Sequence, residues 1–151
     1  MLFTGAFERS VDEKLRIAIP KQFRDALGEP RSAALFVAPG TDGSLALYTE
    51  AGFAQMSDRL AESSPTQQDV RAFRRLFYAQ AQRVDLDAQG RVRVPQELAG
   101  LAHLRKEAVL LGAGDHFELW DKNRWEAYRA EKSARYDQLA EAAFEPRKNS
   151  P

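Results

Sequence analysis

The sequence predicts an α+β chain, mainly β, assembled from two copies of one small unit. Three observations carry this: a run that recurs, an alternating pattern that ends in proline, and helical stripes between the strand-like segments. Residues 12–27 read DEKLRIAIPKQFRDAL, and residues 87–102 read DAQGRVRVPQELAGLA. At one fixed offset Asp12 falls on Asp87, Arg16 on Arg91, Ile17 and Ile19 on Val92 and Val94, Pro20 on Pro95, and Phe23 on Leu98. So many matches in one order mark a tandem duplication of units of roughly 50 residues.

Each element follows from its local pattern. In Arg16–Ile19 β-branched residues alternate with polar or small ones, the period of a half-buried strand. Pro20 cannot continue a central strand but suits the first position of a helix. Lys21–Leu27 then reads as a two-turn helix with Phe23, Ala26 and Leu27 inward and Gly28 as its stop. The apolar runs Ala33–Ala38 and Leu45–Tyr48 flank a glycine-bearing turn and predict a hairpin. The second copy repeats it with Ala108–Leu111, a turn holding Gly112 and Gly114, and Phe117–Trp120. Strand, helix and hairpin make a unit too small to bury its own core, so two units are expected to combine.

The remaining segments read as helices. Thr66 with Asp69 resembles a capping box ahead of the stripe Val70, Phe73, Leu76 and Phe77. Asp121 stands where an N-cap belongs, ahead of Trp125, Tyr128, Tyr136 and Leu139. The expected organisation is a first unit over 3–50, linking helices over 51–80, a second unit over 81–122, one C-terminal helix over 123–144, and a frayed tail over 145–151.

Composition removes several classes of function. The 151-residue chain has no cysteine, which excludes disulfides, thiol catalysis and thiolate metal sites. His103 and His116 are too few for a multi-histidine metal centre, and neither has a paired carboxylate at catalytic spacing in the sequence. No phosphate-cradling loop or nucleophile elbow is present, so neither an enzyme nor a small-molecule substrate is expected, and no cofactor is implied. The N-terminus lacks the pattern of a signal peptide, and no apolar run approaches the ~20 residues that span a bilayer. A cytoplasmic protein with no membrane partner is therefore expected. Lys and Arg together number 22 and so do Asp and Glu. That balance disfavours sequence-blind coating of nucleic acid while leaving room for a local basic patch.

Asp-x-x-x-Arg followed by Ile/Val-x-Ile/Val-Pro occurs twice, as Asp12–Pro20 and Asp87–Pro95. With Leu45–Tyr48 and the run Glu118–Trp125, this resembles the MraZ family, within the AbrB-like group of swapped-hairpin transcription factors, over residues 3 to about 128. The resemblance implies a compact double-split β-barrel made from both repeats with helices outside. It also implies a homo-oligomeric ring that binds double-stranded DNA at repeated promoter sites, at the nucleoid, and regulates the bacterial division and cell-wall gene cluster. By position the family's DNA-contacting face carries over to Asp12 with Arg16 and to Asp87 with Arg91.

The residues fit that implication. An arginine fork binds phosphate or a guanine edge bidentately, and an aspartate four residues earlier can orient it across a tight turn. Period two puts Arg91 and Arg93 on one face and Val92 and Val94 on the other, while Lys14 adds a cation at the first turn. The expected contacts are therefore Arg16, Arg91, Lys14 and Arg93, supported by Asp12 and Asp87. One departure matters: the family's glycine before the arginine is Gly90 in the second copy but Leu15 in the first. If the turn needs a positive φ there, Leu15 is strained or its turn differs.

Competing readings stay open at this point. An Asp-x-x-x-Arg pair can be a local ion pair bracing a turn. Arg71, Arg74 and Arg75 read better as a solvated helix face or subunit contact than as phosphate ligands, and Trp120 and Trp125 as packing residues. From another class comes a protein-interaction scaffold of the same fold that does not read DNA.

Overall fold

Alternating segments become strands and the striped segments between them become helices, in a computed structural model that describes residues 2–28 and 33–146. The first half runs β1 (Ala6–Ser10), β2 (Arg16–Ala18), α1 (Lys21–Ala26), β3 (Ala34–Pro39), β4 (Leu45–Tyr48), α2 (Glu50–Ala61) and α3 (Gln68–Gln80). The second half repeats that order as β5 (Gln82–Asp85), β6 (Arg91–Arg93), α4 (Gln96–Leu101), β7 (Glu107–Gly112), β8 (Phe117–Asp121), α5 (Lys122–Ser133) and α6 (Tyr136–Ala143).

Strand pairing exchanges the halves. Six strands form one sheet in the order β1-β7-β8-β4-β3-β5, and β2 and β6 form a separate two-stranded ribbon. All pairings are antiparallel. Each half keeps its own hairpin, β3–β4 or β7–β8, but sends its first strand to the other: β1 pairs with β7 and β5 with β3. The order reads the same backwards when the halves are interchanged, with Ala46 opposite Glu118 at the centre.

The compact closed barrel expected from the family resemblance is not formed by this hydrogen bonding. The sheet is open, with β1 and β5 as its edges, and the ribbon lies beside both edges without joining the ladder. The architecture is α+β with an antiparallel sheet.

Period two sorts the sheet's side chains into two layers. Leu35, Val37, Leu45, Leu47, Leu110, Phe117 and Leu119 face the ribbon and meet Ile17, Ile19, Val92 and Val94, with Phe23 and Leu98 from the short helices. Phe117 is 1% exposed and sits among Phe3, Phe7 and Phe23 with ring centroids 5.0–6.2 Å apart. On the opposite face Phe36, Ala38, Ala46 and Tyr48 pack under Phe53 of α2 and Phe77 of α3. Val109, Leu111 and Trp120 pack under Trp125 and Tyr128 of α5, so both tryptophans are packing residues.

Helix ends follow the duplication in part. Thr49 Oγ1 accepts from the Gly52 N–H at the start of α2, and Asp121 Oδ2 accepts from the Arg124 N–H at the start of α5. Asp121 is therefore the cap that its position suggests. The Thr66–Asp69 capping box does not form. α3 begins one residue later with Gln67 at its N-cap, and the Thr66 hydroxyl is shared with Ser64. On that helix Phe77 is buried, but Phe73 and Leu76 are 44% and 64% exposed. The single C-terminal helix expected over 123–144 is two helices, α5 and α6, broken at Ala134 and Arg135. Of the tail expected over 145–151, residues 147–151 lie outside the described residues.

Candidate nucleic-acid interface

Two tight turns, at the entry to β2 and the entry to β6, have the same construction. In the first, Asp12 Oδ1 accepts from the Lys14 N–H (2.9 Å) and the Arg16 N–H (2.8 Å), while Oδ2 accepts from Arg16 Nε (2.7 Å). In the second, Asp87 Oδ1 accepts from the Gln89 and Arg91 N–H groups (both 2.9 Å), and Oδ2 accepts from Arg91 Nε (3.0 Å). The main chain closes both turns alike: Leu15 N–H donates to Asp12 C=O at 2.9 Å, and Gly90 N–H donates to Asp87 C=O at 3.0 Å. The spacing of four residues is thus explained. One carboxylate oxygen holds the turn and the other holds the guanidinium.

The same contacts set the acidity of the two aspartates. The Arg16 N–H chiefly, helped by the Arg16 side chain and the Lys14 N–H, holds the Asp12 carboxyl below its ordinary range against the opposing effect of desolvation. For Asp87 the Arg91 N–H leads and the Gln89 N–H and Arg91 side chain assist. Both carboxylates are therefore ionised near neutrality and keep their arginines oriented.

Leu15 sits at φ 61° and Gly90 at φ 73°, so the turn does require the left-handed region. Of the two outcomes anticipated for Leu15, strain is the one realised, because the turn is conserved in shape between the copies. The half-buried Leu15 side chain packs against the core, which offsets part of that strain.

The ribbon brings the arginines together. Arg16 lies opposite Arg93, Ile17 opposite Val92, and Ala18 opposite Arg91. Ile17 and Val92 are buried beneath, so Arg16, Arg91 and Arg93 share the outward face with Ala18. The ribbon continues into the turns, with Ile19 N–H donating to Gly90 C=O and Val94 N–H to Leu15 C=O. Arg93 Nε donates to the Lys14 carbonyl at 3.0 Å, which ties β6 to the first turn. All six residues expected at the site therefore lie in one assembly of two turns and one ribbon. Such a surface can present planar donor forks at fixed spacing to phosphates or base edges.

Other cations are placed differently. Arg71 donates to the Pro65 and Thr66 carbonyls, and the Arg74 guanidinium lies 5.9 Å from the centre of the Tyr78 ring. These two are committed to their own helix and its entry. His103, at φ 53°, ends α4 where Gly28, at φ 88°, ends α1. Contrary to the expectation from sequence, His116 does have carboxylates beside it, with Asp115 Oδ1 2.6 Å from Nδ1 and Glu118 Oε2 4.0 Å from Nε2. Its ring stacks on Tyr48, and Asp115 also pairs with Arg59 at 3.1 Å, so the cluster ties α2 to the β7–β8 turn.

Comparison with known proteins places the chain in a family. A family model described as "MraZ protein, putative antitoxin-like" matches the chain twice, over residues 2–76 and 77–146. The chain belongs to the MraZ family. A MraZ relative from Lactiplantibacillus plantarum is 38% identical over 93% of this chain and 96% of its own length. Relatives from Moorella thermoacetica and Finegoldia magna are 37% and 35% identical, each over 93% of this chain and 95% of their own length. All three carry the name "Transcriptional regulator MraZ". The two matches to the MraZ model meet between residues 76 and 77, inside α3.

Proposed function

We propose that this chain is a DNA-binding transcriptional regulator whose contact surface is the β2–β6 ribbon with its two turns. The carrying observation is the paired construction: two aspartate-held arginines, Arg16 and Arg91, delivered to one outward face with Arg93 and Lys14 beside them. The role is not catalytic and needs no cofactor. It belongs in the cytoplasm at the nucleoid, and no described helix is long and apolar enough to cross a membrane. The names of the relatives support regulation of transcription, and the family resemblance supports the division and cell-wall gene cluster as its target. The exchange of β1 and β5 between halves supports the double-split arrangement of the family's barrel.

The overall charge balance bears on mechanism. Each arginine fork is partly neutralised by its own aspartate, so a single protomer offers a modest electrostatic contact. Affinity then has to come from assembly. A ring-shaped homo-oligomer on repeated DNA sites multiplies weak contacts through effective concentration. The test is a fluorescence anisotropy titration with one promoter repeat and with a spaced array, using wild type, Arg16→Ala and Arg91→Ala at fixed salt. The array is expected to bind far more tightly than the single repeat, and both substitutions to weaken it. If neither substitution changes the affinity, the assigned contacts are wrong. If the wild type binds no DNA from upstream of its own gene, a protein-interaction scaffold replaces this reading.

A further inference from the structure

The two turns match in backbone but differ in what passes over them. A Cβ built on Gly90 would lie 2.8 Å from Cδ of Arg24 and 3.2 Å from its Nη1. The glycine is therefore needed twice, once for its φ and once because the Arg24 side chain of α1 occupies the space above it. The residue of α4 that corresponds to Arg24 is Ala99. There the first turn carries Leu15, packed against the core cluster that includes Ala99. Bulk has been exchanged across the pseudo-twofold axis: leucine with alanine at one turn, glycine with arginine at the other.

The position of Arg24 is well defined. Its Nε donates to the Ile19 carbonyl at 3.1 Å, and Ile19 N–H in turn donates to Gly90 C=O. This fixes the stem and holds an exposed guanidinium against the turn that carries Arg91. The first turn has a comparable arginine by another route, since Arg93 Nε donates to the Lys14 carbonyl, and the residue of β2 that corresponds to Arg93 is Ala18. Each turn thus carries one arginine of its own, held by aspartate, and one lent by the other repeat: Arg93 for the first and Arg24 for the second.

We propose that Arg24 is a further nucleic-acid-contacting residue, binding a backbone phosphate beside Arg91 at the second turn. The proposal rests on the DNA-binding reading and adds to it a residue outside the repeated Asp-x-x-x-Arg motif. A planar fork pinned through Nε presents its Nη groups to an anion with little entropy left to lose. A phosphate contact positions the duplex without reading its sequence. Each turn then presents two guanidinium groups although their sequences differ, with Lys14 a third cation at the first turn where the second has Gln89.

The experiment titrates wild type, Arg24→Gln, Arg24→Lys and Arg91→Ala with a duplex of promoter repeats and with a scrambled duplex, across a salt series. Arg24→Gln is expected to weaken both duplexes by the same factor. It should also flatten the plot of log affinity against log salt by about 0.9 for each protomer engaged. Arg24→Lys is expected to recover the slope. An unchanged slope in Arg24→Gln overturns the proposal, and so does a loss of affinity that follows only a lowered melting temperature. The two readings fail differently. Wild type binding neither duplex overturns both, whereas Arg91→Ala weakening the complex while Arg24→Gln leaves affinity and slope intact overturns the Arg24 assignment alone.

Discussion

Asp12 of the first turn lies 3.9 Å from the Arg91 guanidinium of the second, while holding Arg16 at 2.7 Å. One carboxylate therefore serves both arginines, whereas the described ion pair of Asp87 is with Arg91 alone. Asp12→Asn keeps an oxygen to accept the turn's N–H groups but loses its charge. On the proposed DNA-binding face, removing an acid raises general affinity for phosphates, and releasing two forks lowers discrimination. Asp12→Asn is expected to reduce the ratio of promoter to scrambled binding more than Asp87→Asn does. Equal ratios in a competition titration count against a shared role for Asp12.

Leu15 and Gly90 invite opposite substitutions. Leu15→Gly relieves a left-handed leucine, worth about 1–2 kcal/mol, and loses half-buried apolar packing of similar size. Its unfolding free energy in urea should stay within about 1 kcal/mol of wild type. Gly90→Ala gains nothing and meets Arg24, so a loss of about 1–2 kcal/mol is expected. Combined with Arg24→Ala, part of that loss should disappear, and strict additivity in the double-mutant cycle would contradict the contact.

Acid stability should depend on the two turn aspartates. Their carboxyls are held below the ordinary value of 3.8, by the Arg16 and Arg91 N–H groups foremost. A group with a lowered folded pKa stabilises the fold above its unfolded pKa, and that contribution is lost as pH falls through the folded pKa. Wild type is expected to weaken as pH drops below 3.8, and the Asp12→Asn/Asp87→Asn double variant to weaken less steeply. Identical acid limbs in denaturation midpoints would show that these contacts carry no linkage.

Phe117 is the aromatic hub of the core, with the Phe3 and Phe23 rings 5.1 and 5.0 Å away. Phe117→Ala should cost about 3–5 kcal/mol. Trp125→Ala, at the half-buried edge of a satellite cluster, should cost less. Chemical denaturation of both variants checks the ranking.

The repeat, the ribbon strands, the hairpins and the Asp-x-x-x-Arg turns were legible because each is specified within a few residues. Alternation fixes the face of Val92 and Arg93, and one carboxylate spacing fixes the turn. What escaped sequence reading depends on elements far apart in the chain. Arg24 belongs to the first repeat but lies over the second turn, and His116 meets Tyr48 only because β4 and β8 pair. The break at Ala134–Arg135 has no glycine or proline to announce it. Thr66 failed as a cap because Ser64 engages its hydroxyl and Arg71 reaches back to its carbonyl.

The exchange of edge strands also has a bearing on synthesis. β1 leaves the ribosome early, but Ala6 has to wait for Leu111 before its ladder can form. Before β7 emerges the hairpin β3–β4 can close and take β5 as its outer neighbour, while the first strand has no partner and β4 lacks β8. Such long-range pairing favours slow folding. A nascent chain that stalls before β7 exposes two unsatisfied strand edges, each a template for joining another unfinished chain.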